Sequence, residues 1–222
     1  MELIEKALQE GRKMLTEYES KKVLAHYGIP TAGEALVVSR EELATAAARI
    51  GFPLVLKGSS ANLAHKTEKG LIQTDIRDLA EAGEVFDRIM AGLEGPDQAV
   101  LVQEMVKGKR ELVVGMIRDP QFGPAVMFGL GGIFTEILRD VSFRVAPLEK
   151  RDALEMMNEI KGRKILDAVR GMEAADRDIL ADILVQVGRI GLENERVKEI
   201  DINPIILAGA KGVAVDALIV LE

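Results

Sequence analysis

The chain has 222 residues, of which 48% are hydrophobic, enough for one large domain or two smaller lobes with a real core. It has no cysteine, which excludes disulfides, thiolate metal sites and cysteine nucleophiles. A net charge of −7 and an aromatic content of 4% argue against a nucleic-acid-binding surface.

The N-terminal residues and the overall hydropathy predict a cytoplasmic protein. The first residues have no basic region followed by an apolar one, so we expect no signal peptide. No apolar run approaches the length of a membrane-spanning helix. We therefore expect a soluble enzyme or binding domain, with neither nucleic acid nor a membrane as its partner.

The first part of the chain predicts helices and strands in alternation. Apolar residues recur at the helical period over residues 2–16, and a second helix is expected over 20–27, before Gly28 and Pro30. The elements expected next are a strand at 35–38, a helix at 40–50, strands at 54–57 and 71–74, and a helix at 79–93. A break at 95–97 is expected to end this mixed α/β lobe.

The remainder predicts a second mixed α/β lobe. Strands are expected at 99–106, 111–118, 125–128, 197–202, 205–208 and 213–220, and helices at 147–160 and 174–192. The predicted organisation has an N-terminal helix that packs on the second lobe (1–21), a first lobe (22–97) and a second lobe (98–222).

His65 is the first candidate for catalysis. It is one of two histidines and lies in a small, polar, glycine-flanked stretch, 58–70, which we expect to be a surface loop. Neutral imidazole is a nucleophile near pH 7, and Lys57 and two further lysines nearby can hold an anionic group such as a phosphate. The alternative is a solvated side chain beside scattered lysines. The other histidine, His26, is expected at a helix end, where a structural role is favoured.

An acidic strand near the C-terminus predicts a metal site. Because residues two apart in a strand face the same way, one face is expected to carry Glu199, Asp201 and Asn203. A turn at 209–212 would pair Ile205 with Asp216 and leave Asp216 diagonal to Asn203. An amide and a carboxylate on rigid strands suit Mg²⁺, which takes its other ligands from water and substrate phosphates. The alternative is a solvated acidic face.

A glycine-rich segment and two charged residues are weaker candidates. Residues 129–136 offer backbone N–H groups that can approach a phosphate closely. They match neither a Walker loop nor the dinucleotide fingerprint, so a plain loop is an equal alternative. Lys57 ends a predicted strand and Glu111 begins one, and for either alone an ordinary surface charge is the favoured interpretation.

Together these motifs resemble the ATP-grasp fold. More narrowly, the chain is similar to the β subunit of ADP-forming (NDP-forming) acetyl-CoA synthetase, which is related to the β subunit of succinyl-CoA synthetase. The resemblance runs from about Thr16 to the C-terminus and rests on the order and spacing of several segments: 19–30, the strand ending at Lys57, 65–68, 103–111, 119–124, 128–136, 201–204 and Asp216.

The resemblance implies two mixed α/β lobes with nucleotide between them. It implies that Lys57 holds the nucleotide phosphates and that Glu111 contacts the ribose. The residues implied in adenine contact are Gln103, Met105 and Val106, those in the phosphate loop are Gly131 and Gly132, and the implied Mg²⁺ ligands are Asn203 and Asp216.

The resemblance also implies a histidine carrier. His65 matches a histidine that takes a phosphoryl group and passes it to ADP. Asp201 stands where the succinyl enzyme has a glutamate that steadies the phosphohistidine, and Lys69-Gly70 replaces the usual Gly-Gly after the histidine motif. The implied reaction is acyl-CoA + ADP + phosphate ⇌ carboxylic acid + CoA + ATP, with Mg²⁺ as cofactor and ATP or ADP as substrate.

No strand followed by a dinucleotide-type glycine turn occurs in the sequence, so it has no recognisable CoA-binding domain. The resemblance implies that this domain lies on an α-type partner subunit. Two alternatives remain: an ATP-grasp carboxylate–amine ligase without a histidine carrier, and a non-catalytic nucleotide-binding module. The sequence His-Lys-Thr-Glu at 65–68 argues against the first, and the set of Lys57, Asn203 and Asp216 argues against the second.

Overall fold

A computed structural model describes residues 2–60, 70–95, 97–132, 140–169 and 171–222. Residues 61–69 of the predicted loop 58–70, among them His65, lie outside the described residues, and so do residues 133–136 of the glycine-rich segment 129–136. Contacts divide the chain into two units, Ala32–Met105 and Met1–Thr31 together with Val106–Glu222.

Helices and strands alternate along much of the chain, in agreement with the predicted α/β class. The helices are α1 (Glu2–Gln9), α2 (Glu17–His26), α3 (Arg40–Ile50), α4 (Leu79–Gly92), α5 (Lys150–Glu159) and α6 (Arg177–Glu193), with a 3-10 helix at Arg163–Leu166. The strands are β1 (Glu34–Val37), β2 (Leu54–Ser59), β3 (Ile72–Ile76), β4 (Ala99–Glu104), β5 (Glu111–Asp119), β6 (Gly123–Leu130), β7 (Val141–Val145), β8 (Val197–Ala208), β9 (Lys211–Ala214) and β10 (Leu218–Leu221).

The unit Ala32–Met105 is built on a four-stranded sheet in the order β1-β4-β2-β3. All of its strand pairs are antiparallel. Helices α3 and α4 start at side-chain caps, since Ser39 accepts from the Glu42 N–H and Asp78 accepts from the Glu81 N–H. The sheet contributes buried residues to a core shared with these helices: Leu54, Leu56, Ile76, Val100 and Val102.

The other unit is built on a six-stranded antiparallel sheet. Its order is β10-β8-β5-β6-β7, and β9 pairs with β8. The core combines residues of β5, β6 and β8 with α5, α6 and the N-terminal segment, among them Leu15, Val114, Phe128, Met156, Leu184 and Ile202. The N-terminal segment joins this unit through the backbone as well, because the Leu15 N–H donates to the Ile219 carbonyl at 2.9 Å.

Strand β4 corrects the predicted lobe boundaries. It was predicted to open the second lobe, 98–222, but it pairs with β1 and β2 and so belongs to Ala32–Met105. Residues 22–31, predicted for the first lobe, belong to the other unit, where the Ala214 N–H donates to the Pro30 carbonyl. Hydrophobic periodicity identifies a strand but not the sheet that it joins, which explains the error.

The two N-terminal helices also differ from the prediction. Helix α1 ends at Gln9 rather than near residue 16, because Gly11 takes a φ of 71° and turns the chain out of the helix. Helix α2 begins three residues earlier than expected, at a capping box between Thr16 and Glu19. Within the described ranges, no helix combines the length and apolar character needed to cross a membrane.

The C-terminal strands are joined and divided differently from the prediction. Strand β8 is continuous where two strands, 197–202 and 205–208, were expected. The single strand expected at 213–220 is instead β9 and β10, separated by residues 215–217. Strand β7 was not predicted. These differences change the register around the predicted metal ligands.

Candidate functional site

Lys57 and Gln103 lie on one face of the four-stranded sheet. In the pairing of β2 with β4, Lys57 stands opposite Leu101, and Val55 stands opposite Gln103. Paired residues, and residues two apart, point to the same side, so these four share a face opposite the helices. Lys57 is 6% exposed and Gln103 is 2% exposed. A buried ammonium and a buried amide therefore lie on the sheet face that does not carry the core cluster.

Met105 and Val106 form an irregular segment after β4. Both are half-buried, and the Met105 N–H donates to the Pro53 carbonyl at 3.3 Å. The division between the two units falls between them. Their role in adenine contact, like that of Gln103, stays a prediction.

Glu111 and the glycines 131 and 132 are brought together in the other unit. The Gly131 N–H donates to the Glu111 carbonyl at 2.8 Å. A Cβ at Gly131 would lie 2.7 Å from the Leu112 backbone, and one at Gly132, whose φ is +62°, would collide with the Glu111 carboxylate. The close approach to the backbone of β5 thus requires glycine at position 131, and the positive φ favours glycine at position 132.

Asp216 lies across from Asn203. The predicted pairing of Ile205 with Asp216 is wrong: Ile205 pairs with Ala214, because the turn consists of Gly209 and Ala210 alone. On the far side of the interruption, Leu218 pairs with Asp201, which continues the same register. Extending the register from Ile205–Ala214 or from Leu218–Asp201 places Asp216 opposite Asn203. Directly opposite side chains lie closer together than diagonal neighbours do.

A β-bulge coincides with Asn203. Between β8 and β5 the register shifts between the pairs Leu112–Ile205 and Val114–Ile202. Two residues of β8, Asn203 and Pro204, consequently oppose a single residue of β5. Bulges bend a strand and re-aim its side chains, and a bulge accommodates a proline that cannot donate to the ladder. The Asn203-Pro204 dipeptide therefore sits at a local distortion of an otherwise regular sheet.

Negative charge is concentrated around Asp201. The pKa of Asp201 is raised to about 6, first because the carboxyl is half-buried and then because the negative Glu199 and Asp216 are close to it. Asp201 stands opposite Gly115 on β5, so no side chain faces it from that strand. The strand face that the sequence predicted as a metal site is therefore a half-buried anionic surface.

The oxygen donors of this surface fit a Mg²⁺ ion that is shared with phosphate. In the described part of the chain, no three His, Cys, Asp or Glu side chains come close enough together to hold a metal ion by themselves. Mg²⁺ bound with a nucleotide usually takes only one or two carboxylates from the protein and completes its shell with phosphate oxygens and water. An amide at Asn203 and a carboxylate at Asp216 are such a set.

His65 lies outside the described residues, and so do Lys66 and Lys69. The structure therefore gives no geometry for the predicted carrier. The second histidine, His26, is exposed at the end of α2, where its ring meets that of Tyr27 edge-on at 5.5 Å.

A buried polar group on α2, for which no function was expected from the sequence, contacts the residue before Asp216. Glu17, Ser20 and Lys21 of α2 are 4%, 0% and 1% exposed. The Lys21 ammonium donates to the Glu17 carboxylate at 2.8 Å and to the Val215 carbonyl at 3.4 Å. The capping-box pattern of Thr16 and Glu19 could have revealed this group from the sequence. It fixes the start of the helix and hence shows which residues share a face.

A family profile of the ATP-grasp domain matches residues 6–221, almost the whole chain. With the antiparallel sheets and the acidic strand face described above, this match defines the class of protein. The chain belongs to the ATP-grasp family.

Curated relatives narrow the family. The chain is 48% identical to the β subunit of ADP-forming acetate–CoA ligase I of Pyrococcus furiosus, over 99% of this chain and 97% of that protein. It is 41% identical to ADP-forming acetate–CoA ligase I of Archaeoglobus fulgidus, over 99% of this chain but only 33% of that longer protein. Within the ATP-grasp family, the chain is thus a member of the β subunits of ADP-forming acetate–CoA ligases.

Solved structures agree. A chain of the dinucleotide-forming acetyl-coenzyme A synthetase 1 of Ca. Korarchaeum cryptofilum, in complex with coenzyme A and Ca-AMPCP, is 43% identical, with a TM-score of 0.94 and coverage of 100% of this chain and 99% of that one. A second structure of that protein contains coenzyme A and Mg-AMPPCP and has its phosphohistidine segment pointing towards the nucleotide-binding site (42% identity, TM-score 0.89, coverage 100% and 99%).

These findings confirm the predicted family, the ATP-grasp fold class and the enzyme class, an ADP-forming acid–CoA ligase subunit. A nucleotide substrate is supported by the same findings. The separate β-subunit names, together with longer relatives that contain a matching region, imply an α-type partner.

Proposed function

We propose that the chain transfers a phosphoryl group between His65 and ADP or ATP in the reaction acyl-CoA + ADP + phosphate ⇌ carboxylic acid + CoA + ATP. An unprotonated imidazole nitrogen attacks the γ-phosphorus of ATP, an N–P bond forms, and the bond to the bridging oxygen breaks, so that ADP leaves. In the direction of ATP formation, an oxygen of the β-phosphate of ADP attacks the phosphorus of the phosphohistidine, and the N–P bond breaks. The phosphohistidine segment of the Korarchaeum relative supports this role for His65.

The acidic strand face carries the nucleotide part of the proposal. Asn203 and Asp216 lie opposite each other beside Asp201, whose pKa is raised by burial and by its acidic neighbours. The amide of Asn203 and the carboxylate of Asp216 suit a Mg²⁺ ion that is shared with nucleotide phosphates. When bound, Mg²⁺ would offset the charge that builds between phosphate groups as they approach. Asp201 would face the phosphohistidine, in the place of the succinyl enzyme's glutamate.

The remaining contacts are assigned by residue. Lys57, a buried ammonium on the four-stranded sheet, would hold nucleotide phosphates, since a lysine is a compact cation for phosphate oxygens. Gly131 and Gly132 would offer backbone N–H groups to phosphate, and Glu111, held against them, would accept from the ribose. Residues of the segment after β4 would contact adenine: Gln103, Met105 and Val106.

The proposal includes an α-type partner that carries the CoA-binding domain. The Archaeoglobus relative is about three times as long as this chain, which spans 33% of it, so further sequence is joined there to the matching region. We infer that coenzyme A and the acyl group are bound by a partner of this kind, and that His65 receives its phosphoryl group there.

Reconstitution tests this function. The purified chain alone should form no acyl-CoA from acid, CoA and Mg-ATP, and should gain that activity when an α-type subunit is added. In the reconstituted complex His65→Ala should abolish the activity, whereas His26→Ala, at the exposed end of α2, should retain it. Steady turnover by the chain alone, or near-normal turnover by the His65→Ala complex, would contradict the proposal.

A further inference from the structure

We propose that Lys21, held by Glu17, is a positioning residue that fixes the backbone of residues 215–217 so that Asp216 faces Asn203. This inference rests on the proposed role of Asp216 as a Mg²⁺ ligand. It assigns to helix α2 a part in metal binding that the family resemblance does not give it.

Helix α2 turns three polar side chains inward at its start. Glu17, Ser20 and Lys21 are spaced so that they share one helical face, and all three are buried. The opposite side of the same turn carries a second ion pair, in which Arg12 donates to both carboxylate oxygens of Glu19 at 2.7 and 2.8 Å. Both are pairs of a carboxylate with a cation, and their carboxylates, Glu17 and Glu19, lie on different faces of α2.

The inward face reaches the segment that interrupts the C-terminal hairpin. The Lys21 ammonium donates to the carbonyl of Val215, the residue before Asp216. The Ser20 hydroxyl oxygen accepts from the Ile219 N–H at 3.1 Å, just beyond the same segment. The Val215 N–H donates to the Pro204 carbonyl at 3.2 Å, next to Asn203. Residues 215–217 are therefore fastened on both sides, to α2 and to the bulge in β8.

Stability alone is a weak reason for this arrangement. Removing an ammonium and a carboxylate from water opposes folding, and apolar residues of similar volume often replace a buried pair without loss of stability. A buried charged donor does supply something that an apolar side chain cannot, which is a directed bond to a backbone carbonyl. Groups that orient metal ligands from behind typically change metal affinity by about 10- to 100-fold when they are removed.

The test compares two double variants of the full chain. Glu17→Gln with Lys21→Met removes the inward pair at nearly constant volume, and Arg12→Met with Glu19→Gln removes the outward pair in the same way. The measured quantity is the Mg²⁺ concentration that gives half-maximal binding of the fluorescent nucleotide mant-ADP. We expect the inward variant to raise this concentration about tenfold. The outward variant should lower the melting temperature but leave the Mg²⁺ requirement unchanged.

Two further variants make each outcome decisive. Glu17→Gln alone keeps the shape of the pair and an accepting oxygen, so it serves in the same titration if the double variant does not fold. Its Mg²⁺ requirement should also rise, but by less than that of the double variant.

Asp216→Ala separates the positioning role from the proposed metal site. If it raises the Mg²⁺ requirement while the folded inward variant does not, the positioning role is wrong and the metal site stands. If Asp216→Ala has the parent requirement, both are wrong. Equal shifts for inward and outward variants would also overturn the positioning role.

Discussion

At the scale of single residues, the pairing of Asn203 with Asp216 depends on one turn. The two-residue turn at Gly209 sets the register of β9 on β8, and β10 continues it beyond the interruption. The predicted four-residue turn shifted the pairing by two residues. A shift of two leaves every side chain on its original face, whereas a shift of one would have reversed them. The two residues could therefore be assigned to one site from sequence although the register was wrong.

The metal site gives the first prediction. Asn203→Ala and Asp216→Ala should each weaken Mg²⁺-dependent binding of ADP by about tenfold or more, because each removes an oxygen donor and Mg²⁺ has few protein ligands to replace it. Isothermal titration calorimetry with and without Mg²⁺ measures this. Glu195→Ala, an exposed carboxylate just before β8, is the control and should bind as the parent does. If both site variants bind ADP with the affinity of the parent, the strand face is an acidic surface and not a metal site.

The glycine loop gives the second prediction. Gly132→Ala and Gly11→Ala place a side chain at similar positive φ angles, +62° and +71°. Each should lose about 1 kcal/mol of unfolding free energy to backbone strain. Only the Gly132 variant also displaces the Glu111 carboxylate, since a Cβ at Gly11 meets no atom within 4 Å. The affinity for Mg-ADP should fall in Gly132→Ala alone. An equal fall in both variants would show that the glycine loop does not bind the nucleotide.

At the scale of elements, the strands with ordinary patterning were predictable and β7 was not. Strand β7 lies at the edge of its sheet and inverts the usual alternation, with Phe143 49% and Val145 48% exposed while Ser142 is buried. Ser142 meets its polar requirement by donating to the Met156 carbonyl at 2.9 Å. Because sequence interpretation takes apolar residues as inward, such a strand has no usable signal.

Helix α2 supports a prediction about acid stability. The pKa of Glu19 is lowered: partial burial opposes this, but hydrogen bonds from Arg12 and Thr16 outweigh it. A carboxyl with a lowered folded-state pKa stabilises the fold above its ordinary value of 4.5 and loses that contribution as the pH falls through the folded-state pKa. Urea midpoints should therefore fall more steeply below pH 4.5 in the parent than in Arg12→Met. Parallel curves would contradict this account of the helix start.

At the scale of the whole molecule, the order of the motifs predicted more than any single motif did. The strand ending at Lys57, the glycine segment and the acidic C-terminal strand are each weak alone, yet their sequence order led to the family that the relatives confirm. The division into units was not predictable in the same way. The units divide after Thr31 and after Met105. No turn or change in composition distinguishes these two boundaries from the turns inside each unit.

Mapping a radioactive label tests whether His65 carries a phosphoryl group. The chain is incubated with [γ-³²P]ATP and Mg²⁺, and labelled peptides are identified after treatment with acid or base. A phosphohistidine is stable in base and labile in acid, so the label should be acid-labile, map to the peptide containing His65, and disappear in His65→Ala but not in His26→Ala. No label in the parent, or an undiminished label in His65→Ala, would exclude His65 as the phosphoryl carrier.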